Sequence, residues 1–514
     1  MFARTAVFAE CVVCSTPDIP NGLSVGSAVS IGGEIVLRPI NGEEFATELR
    51  ADHIDLLSPP EVDKKEENDV IIGALSRSRP RLGLLRSEKG LYWRHRLPEM
   101  AAMLRLRAAC KSIVHRAMQD RGYLESPKNL VDLMFQPTRG SVAMATNTLW
   151  MGATPATLFF ESFPIRVRTV FLPASDEFEL NELVKKVDTP ILTTADCEGS
   201  GETFLVTPTA SSLKEGEETL QSSDGCVDRE GQRQTPSLHL TVSAQLHLEA
   251  LAIGMNKVYT LSPTFRAEPS HSRFHLAEFL MLEGESVAMT TTEALCDEVE
   301  AIVRKITTMY LESISSSSSG SSTPQKDLAL VLSYLAESLD SMNVTTHLSS
   351  LDSILSRPFT RMTFHEALAT LNRLGKRTLA SETNGFSKEE EQALCLSAGN
   401  SAVFVTDFPL SQKPFYCSRS PANAMTSAAV DLLIPEVGEM VGGSVREDNR
   451  ERLLERMPGG EVGTLNWYAD LRGHGGAPHG GFGLGFDRML LWLLGVYNIR
   501  DTVTFPREIG KMYL

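Results

Sequence analysis

Near its C-terminal end the chain reads Gly481-Phe-Gly-Leu-Gly-Phe-Asp487-Arg488 and then enters the apolar run Met489 to Val496. The glycines alternate, as in a strand, and let a backbone approach a bound ligand closely. Arg488 opens the following helix, where phosphates are readily held. Two commoner phosphate loops do not fit: a P-loop needs a Lys-Ser/Thr pair, and a dinucleotide fingerprint needs GxGxxG between the strand and helix of a βαβ unit.

Far upstream, Pro263-Thr-Phe-Arg266-Ala-Glu268 and His275-Leu-Ala-Glu278-Phe279 read as a strand, a polar loop and a returning strand. Arg266, Glu268 and Glu278 are then expected to face one pocket. Such a set suits a nucleotide, because a guanidinium can grip an α-phosphate bidentately, a carboxylate can receive an exocyclic amine and an aromatic ring can stack on the base. FRxE is weak alone, but paired with the glycine strand it is specific. The two segments resemble motifs 2 and 3 of the class II aminoacyl-tRNA synthetases. Val187-Asp-Thr-Pro190 resembles the end of their motif 1, where the proline serves the dimer interface. The resemblance implies an α+β fold with an antiparallel sheet flanked by helices, ATP and Mg²⁺ as cofactors, and a homodimer. It also implies that Arg266 holds the α-phosphate, Glu268 and Phe279 hold adenine, and Arg488 holds the γ-phosphate, with His275 and Glu283 at the remaining motif 2 positions.

The chemistry so implied is amino-acid activation, in which a carboxylate strikes the α-phosphorus in line and pyrophosphate departs. Positioning and electrostatics suffice for it, so the lack of GxSxG, HExxH or a Cys/His pair is consistent with this mechanism. Asp431 and Glu439 supply hard oxygen ligands for Mg²⁺. Carboxylates at that spacing are commonplace, but Glu439-Met-Val-Gly-Gly-Ser-Val-Arg446 is similar to a segment of the asparaginyl and aspartyl enzymes, whose final arginine grips the substrate side chain. Asp196-Cys-Glu198-Gly-Ser-Gly-Glu202 and Thr241-Val-Ser243-Ala-Gln245-Leu look like asparaginyl-tRNA synthetase. By that resemblance Glu198 meets the substrate ammonium, Gln245 meets its polar groups, and Ser243, Glu278 and Arg446 complete the amino-acid site. An aspartyl enzyme places a lysine where this chain has Leu248, so a neutral carboxamide is the more natural guest. Pro269, Phe274, Ala244 and Ser418 depart from the family pattern.

With 514 residues, 42% hydrophobic and 22% charged, the chain is expected to form about two to four domains. No apolar run reaches about 18 residues, which argues against a membrane span. Of eight cysteines only Cys11 and Cys14 lie close together, and no second CxxC completes a zinc site. A net charge of -16 disfavours nonspecific attraction to polyphosphate. The arginines from Arg77 to Arg96 fit either a solvated linker or a strip that contacts RNA.

Residues 1–57 alternate apolar and polar around glycine turns and resemble the second half of an OB-fold anticodon-binding domain whose first strands are missing. Residues 58–98 form a charged, proline-containing hinge, and 99–514 the catalytic domain, beginning with a helix from Glu99 to Arg121 that ends at Gly122. Residues 126–186 carry no family motif and read as translated intron or a lineage insertion. Segments 211–236 and 313–323 read as surface loops. An amphipathic helix should bury Leu295, Val299, Ile302, Ile306 and Met309. Residues 326–400 should be mostly helical, and 401–514 should complete the sheet with the glycine strand at its centre.

The sequence thus points to ATP-dependent charging of tRNA(Asn) with L-asparagine. Rivals are an aspartyl enzyme, an ammonia-dependent asparagine synthetase, against which the β-rich start argues, and a catalytically silent paralogue, against which the retained Arg266, Glu268, Asp431, Glu439 and Arg488 argue. The first residues carry no convincing cleavage signal. Mitochondrion or plastid is expected ahead of cytoplasm.

Overall fold

A computed structural model describes residues 28–39, 45–58, 82–91, 94–123, 189–194, 203–207, 238–269, 272–315, 323–335, 344–377, 385–458, 465–473 and 477–510. The expected inserted segment 126–186, the loop 211–236, Glu198, and Arg77, Arg79 and Arg81 lie outside the described residues. The chain divides into two units, Met1–Leu97 and Pro98–Leu514.

In the first unit, β1 (Ala28–Pro39) and β2 (Phe45–Ser58) pair antiparallel from Ala28↔Ser58 to Pro39↔Phe45. A register shift falls between Gly32 and Gly33, where glycine tolerates the local irregularity. Two short helices follow, α1 (Leu82–Leu85) and α2 (Glu88–Leu91). The described strands of this unit make a two-stranded ribbon.

The second unit opens with α3 (Pro98–Asp120). Pro98 suits the first helical position, where no intrahelical N–H is needed, and Glu99 faces the positive end of the helix dipole. Met100, Met103, Leu106, Cys110, Val114 and Ala117 recur every three or four residues and are all buried. Gly122, at φ +76°, ends the helix, and the Tyr123 amide closes back on the Met118 carbonyl. A small antiparallel sheet has the order β3 (Leu192–Thr193), β5 (Leu238–Leu240), β4 (Leu205–Val206). Pro190 precedes it and is exposed.

Next come α4 (Gln245–Met255), β6 (Lys257–Phe265), β7 (Glu278–Ser286), α5 (Thr292–Ser315), α6 (Thr323–Leu335), α7 (Val344–Leu355), β8 (Thr360–Thr363), α8 (Phe364–Arg373), α9 (Lys388–Ser397), β9 (Val403–Thr406), β10 (Ala429–Ile434), β11 (Gly438–Val445), α10 (Arg450–Arg456), α11 (Asn466–Asp470), β12 (Gly480–Gly485) and α12 (Phe486–Leu494). The strands form a seven-stranded sheet in the order β6-β7-β12-β11-β10-β9-β8. Pairing is antiparallel except at the edge, where β8 and β9 run parallel. A helical crossover, α8 and α9, connects that pair, as a parallel connection requires. The glycine strand β12 is third in the order, and β11 holds the centre.

Helix α5 lies against β10, β11 and β12. Its Leu295, Val299, Ile302 and Ile306 are buried, each stabilising the fold by roughly 1.5–3 kcal/mol. Both described ends of the segment expected as a loop, Ser313 to Thr323, are helical. α5 continues through Ser315 and α6 starts at Thr323, because the buried Ile314 extends the apolar face by another turn.

Candidate active site

Sheet register explains the glycines. One lateral row runs Thr260↔Glu283↔Gly483↔Gly442↔Asp431, and the next runs Glu285↔Gly481↔Ser444↔Ala429. In the first row two adjacent strands present hydrogen atoms where side chains would stand, so Glu283 and Asp431 face each other across a bare backbone floor. A Cβ at Gly481 would collide with the Glu285 carboxylate, and one at Gly483 would lie 2.9 Å from the Met281 sulfur. The floor lies within a cavity of about 320 Å³ whose walls include Arg266, Glu268, Phe279, Asp431, Glu439, Arg446 and Arg488.

Arg266 stands just beyond β6, where its N–H bonds the Ala277 carbonyl across the hairpin. Its guanidinium is 3.8 Å from Glu268, which is 3.8 Å from His275, and it lies 5.8 Å from the centre of the Phe279 ring. Burial first, and then Arg488, hold the His275 imidazole below its usual range, favouring the neutral ring. Residues Phe279, Met281, Glu283 and Glu285 alternate along β7 into the cavity. Glu278 does not join them: it is exposed and absent from the lining. Successive strand residues point to opposite faces, so with Phe279 inward the expected amino-acid contact of Glu278 is not made within this cavity.

The β10–β11 hairpin brings Asp431 and Glu439 together. Glu436 (φ +70°) and Gly438 (φ +79°) make its turn, and a bulge shifts the pairing from Leu432↔Val441 to Leu433↔Glu439. Both carboxylates then border Gly442, whose ideal Cβ would be 3.4 Å from a Glu439 oxygen and 3.7 Å from an Asp431 oxygen. Burial pushes the Asp431 carboxyl up to about 6 against the pull of Lys413, with Glu439 adding to the push. Burial acts on Glu439 too, but Arg488, Lys413, Lys388 and Arg266 outweigh it and hold that carboxyl below the usual range. Arg488, in the first turn of α12, donates to the Glu439 carbonyl at 2.8 Å. Its neighbour Asp487 is buried, accepts from the Leu280 N–H at 2.9 Å and pairs with Arg107 of α3. The first turn of α12 is thereby tied to both β7 and α3.

At the far end Arg446 makes a bidentate pair with Glu285, at 3.0 and 2.9 Å, and donates to Ser444 at 2.8 Å. Behind it Glu249 accepts from Gln245 (2.9 Å), Tyr468 (2.9 Å), Arg472 (2.8 Å) and His479 (2.9 Å). Burial alone would raise Glu249, yet Arg472, His479 and Arg446 hold it far below the usual carboxylate range. Burial raises Glu285 despite Arg446. His479 is raised against its burial by Glu249. Glu249, Glu285 and His479 offer ligand atoms within 4.8 Å of one another, but two guanidiniums already neutralise the two carboxylates, which makes this an ion-pair cluster. Ser243 donates to Glu283, which also accepts from the Ala244 N–H at 2.9 Å and so fixes the start of α4.

Sequence reasoning missed Glu249, Glu285, Arg472 and Tyr468 as parts of this network, along with Lys413. Two patterns pointed to some of them: Glu285 alternates with Glu283 on one strand, and Glu249 follows Gln245 by one helical turn. Arg273, in the loop between β6 and β7, lies 3.8 Å from the Tyr497 ring centre and 4.4 Å from that of Phe274. That stacking anchors it to the protein.

A sheet with a glycine floor, two arginines over it and a carboxylate pair beside it defines the class II aminoacyl-tRNA synthetase architecture. The family of class II tRNA synthetases (D, K and N) matches residues 164–509, and the chain belongs to it. A mitochondrial asparagine--tRNA ligase of Schizosaccharomyces pombe is 37% identical over 354 residues, covering 68% of this chain and 69% of the relative. An asparagine--tRNA ligase of Microcystis aeruginosa is 31% identical over 502 residues, covering 96% of this chain and 86% of the relative. The fold is similar to a crystal structure of asparaginyl-tRNA synthetase from Pyrococcus horikoshii complexed with asparaginyl-adenylate, with TM-score 0.63 and 23% identity over 95% of this chain and 84% of that one.

Proposed function

We propose that this chain is an asparagine--tRNA ligase: L-asparagine and ATP give asparaginyl adenylate and pyrophosphate, and the adenylate then acylates tRNA(Asn). The observation that carries the choice of asparagine is the Glu285–Arg446 pair at the closed end of the cavity. A carboxamide is both donor and acceptor. Its N–H₂ can donate to the Glu285 carboxylate while its oxygen accepts from Arg446. An aspartate carboxylate at the same place would meet Glu285 as a like charge. The buried Leu248, where an aspartyl enzyme has lysine, supplies no compensating cation.

In this reading Arg266 and Arg488 bind the triphosphate at the other end and Phe279 and Glu268 bind adenine, which their shared place in the cavity wall supports. The asparagine carboxylate attacks the α-phosphorus, a new P–O bond forms, the bond to the β-phosphate breaks, and pyrophosphate leaves with the electron pair. In the second step a terminal ribose hydroxyl of the tRNA attacks the acyl carbon and AMP departs. These steps demand placement and charge neutralisation, which a preorganised polar cavity supplies. Asp431 and Glu439 fit Mg²⁺, because two adjacent carboxylates on a side-chain-free floor give hard oxygens while leaving coordination places for phosphate and water. The bound ion would neutralise phosphate charge.

The reading includes a homodimer, with Pro190 at its interface, and a mitochondrial or plastid setting, which the mitochondrial S. pombe relative supports. No helix among the described residues is long and apolar enough to cross a membrane. Charging of tRNA(Asn) transcript with labelled asparagine in the presence of Mg²⁺ tests the function. Esterified asparagine is expected; a protein that forms no adenylate with any amino acid would leave only the silent-paralogue reading.

A further inference from the structure

Lys413 is the cavity-lining cation to which no role has yet been given. Its Nζ lies 2.7 and 2.6 Å from the two Asp431 carboxylate oxygens and 3.8 Å from the centre of the Phe408 ring. The ammonium therefore fills the bite between both oxygens of a residue read as a metal ligand. A divalent ion bound to either oxygen would have this charge as its immediate neighbour, and like charges at that range in a partly desolvated cavity repel strongly.

The main chain around Lys413 is pinned. Arg456 donates to the carbonyls of Leu410, Lys413, Pro414 and Cys417 at 3.1, 3.0, 2.9 and 2.6 Å. Motion is thus left to the four-carbon stem of the lysine, whose ammonium can reorient without disturbing the fold. Asp431 is fixed on β10 and Glu439 on β11, both inside the sheet. The movable partner in this trio is the cation.

We infer that Lys413 is an exchangeable counter-ion: it neutralises Asp431 in the unloaded enzyme and is displaced from that carboxylate when a divalent cation enters with the nucleotide. The inference rests on the reading of Asp431 and Glu439 as the metal pair. It extends that reading by making metal entry a charge exchange, +1 for +2, at a single carboxylate. The released ammonium remains in a cavity shared with Arg266 and Arg488, where incoming phosphates carry the balancing negative charge.

Direct Mn²⁺ titration of the full chain without ATP, read by the electron paramagnetic resonance of free Mn²⁺, tests the exchange. Lys413→Met keeps the stem and removes the charge, and is expected to bind Mn²⁺ about tenfold more tightly or better. Lys413→Arg places a fork on Asp431 that matches a carboxylate bidentately, and is expected to bind Mn²⁺ more weakly than wild type. The two variants thus predict opposite signs, so a fault in folding common to both cannot imitate the result. Unchanged or weaker binding by Lys413→Met, or unchanged or tighter binding by Lys413→Arg, would overturn the exchange. Asp431→Asn separates the two levels: wild-type Mn²⁺ affinity there would overturn the metal-pair reading itself, whereas lost affinity there with no tightening in Lys413→Met would overturn the exchange alone.

Discussion

The two ends of the cavity are built on opposite electrostatic plans. At the side-chain end, Arg446 is 4% exposed and Glu285 1%, and Arg472 and Glu249 are 2% and 0% exposed, each charge being matched within the protein. At the phosphate end, Arg266 is 29% exposed, and Lys413 and Asp431 are 18% and 15% exposed. The closed end has its partners before substrate arrives and so can measure a neutral amide against them. The open end faces a large negative charge that comes and goes, and its cations stay accessible. Specificity and turnover therefore call on differently buried charges.

The contrast breaks most readily at Arg446. In Arg446→Met, Glu285 and Glu249 lose a buried cation, which is expected to cost about 3–5 kcal/mol of stability as well as asparagine activation. Chemical denaturation and pyrophosphate exchange should both collapse. At the open end, Arg488→Ala is expected to lower pyrophosphate exchange by roughly 10²–10³-fold while leaving the melting temperature near wild type. An equal loss of stability in both variants would erase the distinction between the ends.

A smaller effect sharpens it. His479 is held by Glu249 above its usual pKa, so its contribution to stability is complete below the unfolded value of about 6.5 and fades as pH rises through the folded value. The melting-temperature gap between wild type and His479→Gln should accordingly be widest in mild acid and narrow in alkali. A gap that widens with pH would contradict the sign of this coupling. Smallest of all is a pH effect on selectivity. Burial raises the Glu285 carboxyl, so acid should protonate it earlier than an ordinary glutamate and remove its repulsion of aspartate. Aspartate-dependent exchange, relative to asparagine, should rise as pH falls; a constant ratio from pH 8 to about pH 5.5 would remove Glu285 from discrimination.

Much of the phosphate end was legible because short-range pattern dictated it. Alternating glycines can form only a bare strand face, and the FRAE strand pairs with its returning partner wherever the sheet is placed. The convergence of Arg266, Arg488, Asp431 and Glu439 on one cavity followed from those strands. Glu278 departs from its motif reading: it adjoins Phe279 on β7, and where Phe279 lines the cavity Glu278 is exposed, as the period of a strand dictates. The closed end was harder to read. Glu249 sits on a helix, Arg472 just after α11 and His479 in a loop, so their meeting depends on long-range packing that no local period reports. Lys413 gave no signal beyond its charge, since only the folded sheet sets Asp431 beside it. The parallel β8–β9 edge was also hidden, being four residues long on each side and set by a crossover.

The most direct test of the central claim is the ratio of kcat/KM for asparagine to that for aspartate in pyrophosphate exchange, measured for wild type and Glu285→Gln. Wild type is predicted to favour asparagine strongly, and Glu285→Gln, which removes the anion but keeps the shape, to narrow the ratio at least about tenfold. A wild-type preference for aspartate, or a ratio untouched by Glu285→Gln, would contradict the account.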